Sequence, residues 1–131
     1  MAGSMCDYLE DKVLDHCLGI AALTFETDVY VGLFTTDPGE AAARAEVSGF
    51  DYARVGPVVF SASSGGASDN DADLEFPPAN GGAWGEIGFW VIFDAATVGN
   101  RYWHGTFDVA KTIADGDTAK INAGELDISL D

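Results

Sequence analysis

Hydrophobic positions recur with two different periods along this 131-residue chain, and the period changes near residue 28. Before that point Leu9, Val13, Cys17 and Ala21 recur every four residues, with Leu14 and Leu18 widening the stripe. That spacing predicts an amphipathic helix over Asp7–Ile20, one face on a core and the other in solvent. Asp7 with Glu10 matches a capping box, and an acidic first turn suits the positive end of the helix dipole. Gly19 weakens the last turn.

Beyond residue 28 short apolar runs alternate with turn residues, as strands do. Val29–Phe34 is a strand closed by the turn signal Thr36-Asp37-Pro38-Gly39. Residues 40–49 are rich in alanine and acid and fit a helical turn or a loop. Tyr52–Ser61 reads as a strand in which Pro57 demands a bulge or an edge position. A Ser/Gly loop over Ser61–Asn70 leads to a short strand, Asp71–Phe76, which Pro77-Pro78 stops. Asn80-Gly81-Gly82 is a turn. Glu86–Phe93 is the most hydrophobic run, with Phe89, Trp90, Val91, Ile92 and Phe93 in succession. A run without alternation is buried on both faces and predicts a central strand. Arg101–Val109 returns with Tyr102, His104 and Thr106 on one face and Trp103, Gly105 and Phe107 on the other. Thr118–Ile121 and Leu126–Leu130 close the chain after the turn at Asp115-Gly116-Asp117. One N-terminal helix followed by seven or eight short strands predicts a mainly β domain: a jelly-roll-like antiparallel β-sandwich over residues 28–131, in a single domain spanning 1–131.

Charge changes this picture. Twenty-two acidic residues oppose six basic ones, a formal charge of −16, in a chain that is nevertheless 47% apolar. The apolar content separates it from disordered acidic segments, which cannot bury a core. Lys12, Arg44, Arg54, Arg101, Lys111 and Lys120 are scattered and build no phosphate-neutralising stripe, which argues against nucleic acid and anionic membranes. A surface this acidic repels itself in dilute buffer and is relieved in molar salt, where the Debye length falls to roughly 3 Å. The expectation is a high-salt setting. The N-terminus shows no secretory leader, and Glu26 and Asp28 interrupt the apolar stretch over 18–34, so no membrane span is expected. Cys6 and Cys17 read as free thiols, with Cys17 a small core residue.

Candidate chemistry is thin. Asp69, Asp71 and Asp73 alternate like the first ligands of a calcium loop, but Leu74 stands where that loop needs glycine and Asn80 where it needs glutamate. Asp115 and Asp117 flank Gly116 and form the second weak cation candidate. His16 and His104, the only histidines, have no nucleophile or orienting acid at a recognisable spacing, and no Gly-x-Ser-x-Gly elbow occurs. Carboxylate pairs carry no information in so acidic a chain. Gly81-Gly82-Ala83-Trp84-Gly85 lacks the lysine of a phosphate loop. Trp84, Trp90, Tyr102 and Trp103 are candidates for a subunit interface or a carbohydrate platform. No catalytic residue, metal or cofactor is expected.

Several segments in order carry a resemblance. They are Tyr8-Leu9-Glu10 with Leu14-Asp15-His16, the run Val29 to Pro38, and Glu46-Val47-Ser48-Gly49 leading into Tyr52-Ala53-Arg54. Ala72 to Pro77, Trp84-Gly85-Glu86-Ile87, Phe93 to Ala96, Gly116-Asp117-Thr118 and Ala123 to Leu126 follow. Together they resemble a family of small tailed-phage structural proteins, often labelled tail-fibre or virion proteins. The resemblance implies a non-enzymatic virion component, exposed as a capsid decoration (turret, tower or cement) or as a tail-fibre or baseplate piece. It implies association with copies of itself, as a trimer or pentamer, and with neighbouring capsid or tail subunits. The heavier acid load than in the usual phage member points to a virus of a haloarchaeon or another salt-adapted host. The alternative is a carbohydrate- or host-receptor-binding module using exposed aromatics on surface glycans.

Overall fold

A computed structural model describes residues 3–25, 28–40 and 46–130. The chain is mainly β, with one helix and antiparallel sheets. In order the elements are β1 (Ser4–Met5), α1 (Asp7–Cys17), β2 (Tyr30–Phe34), β3 (Ala67–Ser68), β4 (Leu74–Glu75), β5 (Gly85–Phe93), β6 (Arg101–Ile113), β7 (Lys120–Ile121) and β8 (Ile128–Ser129). Four strands form one sheet in the order β1-β6-β5-β2, and β3-β8 and β4-β7 form two-stranded ribbons. Among the described residues this is one dominant sheet with two small ribbons, not the pair of comparable sheets that a jelly roll uses.

β5 is an inner strand, as its unbroken apolar run requires. It pairs with β2 at Val31↔Ile92 and Leu33↔Trp90, and with β6 at Trp90↔Gly105 and Ile92↔Trp103. Both of its faces are buried because each meets its own apolar cluster. Ile87, Trp90 and Ile92 join the main core with Val31, Leu33, Leu74, Phe76, Ile121, Leu126 and Ile128. Val91 and Phe93 join Phe34 in a second, smaller cluster on the opposite face. Trp90 is the largest fully buried side chain. Its indole lies against two glycines: a Cβ on Gly105 or Gly3 would collide with the ring. Without side chains at those positions the backbone of β6 can close over the indole.

The register of β6 slips twice, between Ile87/Phe89 and between Ile92/Phe93. The second slip leaves Tyr102 without a Cα partner on β5, and this bulge breaks the expected alternation. Tyr102 enters the main core, towards which Trp103 also packs, while His104, opposite Val91, keeps the other face.

The helix differs from its expected form. It ends at Cys17 with Leu18 as C-cap, and its N-cap is Cys6, which makes no side-chain capping bond. The capping box is not formed, because Asp7 already lies inside the first turn; the amides of Leu9 and Glu10 donate to the Cys6 carbonyl instead. Cys17 is not the core residue it was expected to be: it is exposed, while Cys6 is fully buried, and both are free thiols. Only the first turns of α1 reach the core, where Leu9 is buried and Val13 packs at its margin. Leu14, Leu18 and Ile20 point to solvent at 56%, 70% and 71% exposure.

Tyr52–Ser61 forms no continuous strand. Among the described residues it makes isolated bridges at Val55 to Val31 and at Phe60 to Asn70. Pro57 has no amide to donate between them. The expected strands near 71–76, 118–121 and 126–130 shrink to two residues each in β4, β7 and β8. Of the segment 40–49, residues 41–45 lie outside the described residues. No described helix is long and apolar enough to cross a membrane.

Candidate functional site

The residues that the sequence singled out are mostly built into the fold. Trp84, Trp90 and Tyr102 are buried in the main core. The Trp84 indole N–H donates to the Phe50 carbonyl at 3.1 Å and its ring meets Tyr52 edge-on. Tyr102 stacks on Tyr8 at 6.2 Å and meets Phe25 edge-on. Trp103 is half-buried against the core, and its indole nitrogen finds no hydrogen-bond partner among the described residues. These four rings therefore form no solvent-facing platform in the single chain, because three of them are core residues.

The acidic candidates cap loops. Asp73 accepts the Ala123 amide at 2.8 Å and lies 3.1 Å from the Lys120 ammonium. These contacts, the amide first, hold its carboxyl below the usual carboxylate range. Asp69 accepts the Ser61 hydroxyl, Asp115 the Gly81 amide and Asp117 the Ala114 amide. Asp71 is exposed, with its backbone amide on the Val59 carbonyl. Among the described residues no three metal-ligating side chains converge. Between these loops sits Asn70, the one buried polar residue among the described residues, which the sequence reading missed. Its amide donates to the carbonyls of Ala72 and Asn122, and its oxygen accepts the Leu126 amide. His16 accepts the Leu23 amide at 3.1 Å and closes the turn after α1.

The outer face of the sheet holds a more concentrated arrangement. Arg54 lies flat on the Phe93 ring, its guanidinium carbon 3.4 Å from the centroid. Its Nε and Nη2 grip both oxygens of Glu46, at 2.9 and 2.8 Å for the shortest pairs. Its Nη1 donates to the carbonyls of Ala95 and Val98, both at 2.8 Å. Tyr52 donates to Glu46 at 2.5 Å and accepts the Leu33 amide at 2.9 Å. Burial first, then the Glu46 carboxylate, raises the Tyr52 hydroxyl far above the ordinary tyrosine range. Gly32 makes room for this group: a Cβ there would lie 2.6 Å from a Glu46 oxygen and 2.9 Å from the Phe93 ring. The Arg54 side chain is 7% exposed and that of Glu46 21%, so this is a bidentate ion pair largely out of water.

The clamp fastens the loop between β5 and β6 to β2. Beside it opens a cleft of about 480 Å³. The start of α1 forms one wall with Asp7 and Tyr8, and Val98–Arg101 forms another; Phe34 and Phe93 line it, and Glu40 and Glu46 bring carboxylates. Arg101 donates to the Pro38 carbonyl at 3.0 Å and lies over Phe34 at 5.2 Å. The Nε2 of His104 is buried and 4.0 Å from Glu40. Arg54 and Arg101 are two of only six basic residues, and that scarcity was the signal in the sequence that could have found them. A second cleft of about 660 Å³ runs between β6 and the β4-β7 ribbon, over Trp90, Phe76 and Ile87. Among the described residues neither cleft is lined by a histidine, cysteine or serine. The one buried thiol, Cys6, is held protonated by its burial, its pKa pushed up to about 12.

Residues 4–129 match the sequence model of a family described as Podophage GP4 fiber I protein gp80. The chain belongs to that family. The match spans nearly all of the chain, core strands and cleft residues included. No curated protein matches it. Membership in the gp80 fibre family makes the chain a structural component of a tailed-phage virion, associated with other virion components. The resemblance seen in the sequence holds at that level.

Proposed function

We propose that this protein is a non-enzymatic building block of a phage fibre, on the outside of the particle, whose copies associate through apolar surface at the distal end of α1. The observation that carries the reading is the exposed apolar set Leu14, Leu18 and Ile20 on a chain whose surface is otherwise dominated by acid. Leu14 and Leu18 are four residues apart and lie on one side of the helix end, where the fold gives them nothing to pack on. A second copy removes that surface from water. Closed symmetry, trimeric or pentameric, suits a fibre.

Sedimentation velocity of the full chain tests the reading, in dilute buffer and in molar NaCl, for the native protein and for Leu14→Asp/Leu18→Asp. Salt favours association by screening the −16 charge. The expected result is a discrete oligomer in salt that the double substitution dissociates. A native chain that stays monomeric at every salt and protein concentration would sink the assembly surface.

The acid coat fits a particle that works in concentrated salt, as for a virus of a halophilic host. A melting temperature that climbs from dilute buffer to molar NaCl supports this setting; a flat or falling series removes it.

A further inference from the structure

We infer that the cleft between the start of α1 and the β5–β6 loop is a binding site for a neutral saccharide. The inference is independent of how copies associate. Four observations converge on it.

The first is size: about 480 Å³, within the ordinary range of small-molecule sites, and open to solvent at the side. The second is charge. Arg54 and Glu46 neutralise each other, and Arg101 sits among Asp7 and Glu40. Among the described residues the cleft therefore has no surplus of positive charge with which to hold an anion against a molecule of charge −16. A neutral ligand meets no such barrier. The third is chemistry. Carboxylates at Asp7 and Glu40 are planar acceptors that suit paired hydroxyl donors, Asn100, whose side-chain N–H serves Asp94, and Arg101 stand on the opposite wall, and Tyr8 and Val98 supply apolar surface. Paired polar groups beside apolar faces match a sugar ring, which carries hydroxyls at its edge and C–H groups on its faces.

The fourth is preorganisation. Val98 is a β-branched residue in the left-handed region, at φ 56°, and is 84% exposed. Gly99 follows it in the same region at φ 74°, and a β-branched residue holds this conformation only where its surroundings impose it, as at turns and ligand clamps. Arg54 imposes this one by donating to the Val98 carbonyl. Asp94 adds to it, accepting the Asn100 amide at 2.6 Å and its side-chain amide at 2.9 Å. The loop is thus fixed with Val98 at the rim before any ligand arrives, which lowers the ordering cost of binding.

The test is amide NMR of the ¹⁵N-labelled full chain, titrated with glucose, galactose, mannose, N-acetylglucosamine and maltose. Glucuronic acid and N-acetylneuraminic acid form the acidic arm. The expected result is that a neutral sugar shifts the amides of Val98–Arg101 and of Asp7 and Tyr8, more tightly than either acidic sugar. Asp7→Asn and Asn100→Ala should each weaken that binding at least tenfold, while Val109→Ser, on the exposed far half of β6, should leave it unchanged. No shift with any neutral sugar overturns the inference. So do shifts that map elsewhere, or tighter binding of the acidic sugars. Mapping on the native chain decides the matter even where a variant fails to fold, and the oligomeric state, measured separately, is untouched by either outcome.

Discussion

Replacing Arg54 with methionine removes the one group that ties three parts of the outer face together. Arg54 holds Glu46 through two donor nitrogens, the β5–β6 loop through two carbonyls, and the Phe93 ring by stacking. Methionine keeps much of the stem packing and loses every polar contact. Glu46 then keeps its charge at a position only 21% exposed, with Tyr52 as its remaining partner. Breaking a buried pair by removing one member typically costs about 3–5 kcal/mol, because the other charge stays behind uncompensated. Orphaned carbonyls add up to about 1–3 kcal/mol each where they stay buried, but Val98 is exposed and water replaces its donor. The expected loss is therefore about 3 kcal/mol or slightly more. Glu46→Gln alone removes the charge and keeps the shape. In Glu46→Gln/Arg54→Met no unpaired charge remains, so the double variant should cost at least about 1 kcal/mol less than the sum of the singles. Urea unfolding followed by tryptophan fluorescence, at one fixed salt concentration, measures all three. Additive costs, or an Arg54→Met loss below about 1 kcal/mol, would show that the clamp is an incidental surface pair.

Four further outcomes follow from burial, charge and packing. A thiol reagent should label Cys17 at once and Cys6 only on unfolding; equal rates would contradict the burial of Cys6. The same burial makes stability fall as pH rises above about 9, because the unfolded thiol ionises while the folded one stays protonated up to about 12, and Cys6→Ala should flatten that slope in pH-dependent denaturation. At the acid end Asp73 has a folded pKa below its ordinary 3.8, so its contribution is present above that value and fades as pH falls through the lower folded one. Native and Asp73→Asn chains should accordingly converge in stability on acidification, and a constant gap would refute the pairing. Gly105→Ala drives a methyl into the Trp90 indole and should destabilise by about 1–3 kcal/mol, whereas Ala110→Ser, on the exposed part of the same strand, should be near neutral in the same melt.

The longest strands were legible because their residues repeat one environment. Tyr30–Phe34 and Gly85–Phe93 fall within a residue or two of where the hydrophobic runs place them, and Arg101 marks the start of β6 correctly. What was not legible depends on partners far away in sequence. Tyr52–Ser61 has strand composition, yet its hydrogen bonds go to Val29 and Val31 and, around the Phe60–Asn70 bridge, to Asp69 and Asp71, a few residues at a time. The stripe on α1 is continuous in sequence, but only its first turns lie over the sheet, so the same periodicity yields one buried leucine and two exposed ones. The aromatic candidates were read as a possible surface because residue type alone does not distinguish a core indole from an exposed one. Glycines decided that for Trp90. The cleft was hidden for the same reason: Glu46, Arg54, Arg101 and Asn100 are unremarkable apart and meet only when β2, the β5–β6 loop and α1 are brought together.

Labelling of purified virions with an antibody against this chain, followed by cryo-electron microscopy of the labelled particles, tests most directly the claim that it is an external fibre component. The expected result is label on the fibres and, in the reconstructed density, symmetric copies of a four-stranded sheet joined near Leu14 and Leu18. Particles that carry no label and contain no such density, with the protein found only in the infected-cell lysate, would contradict it.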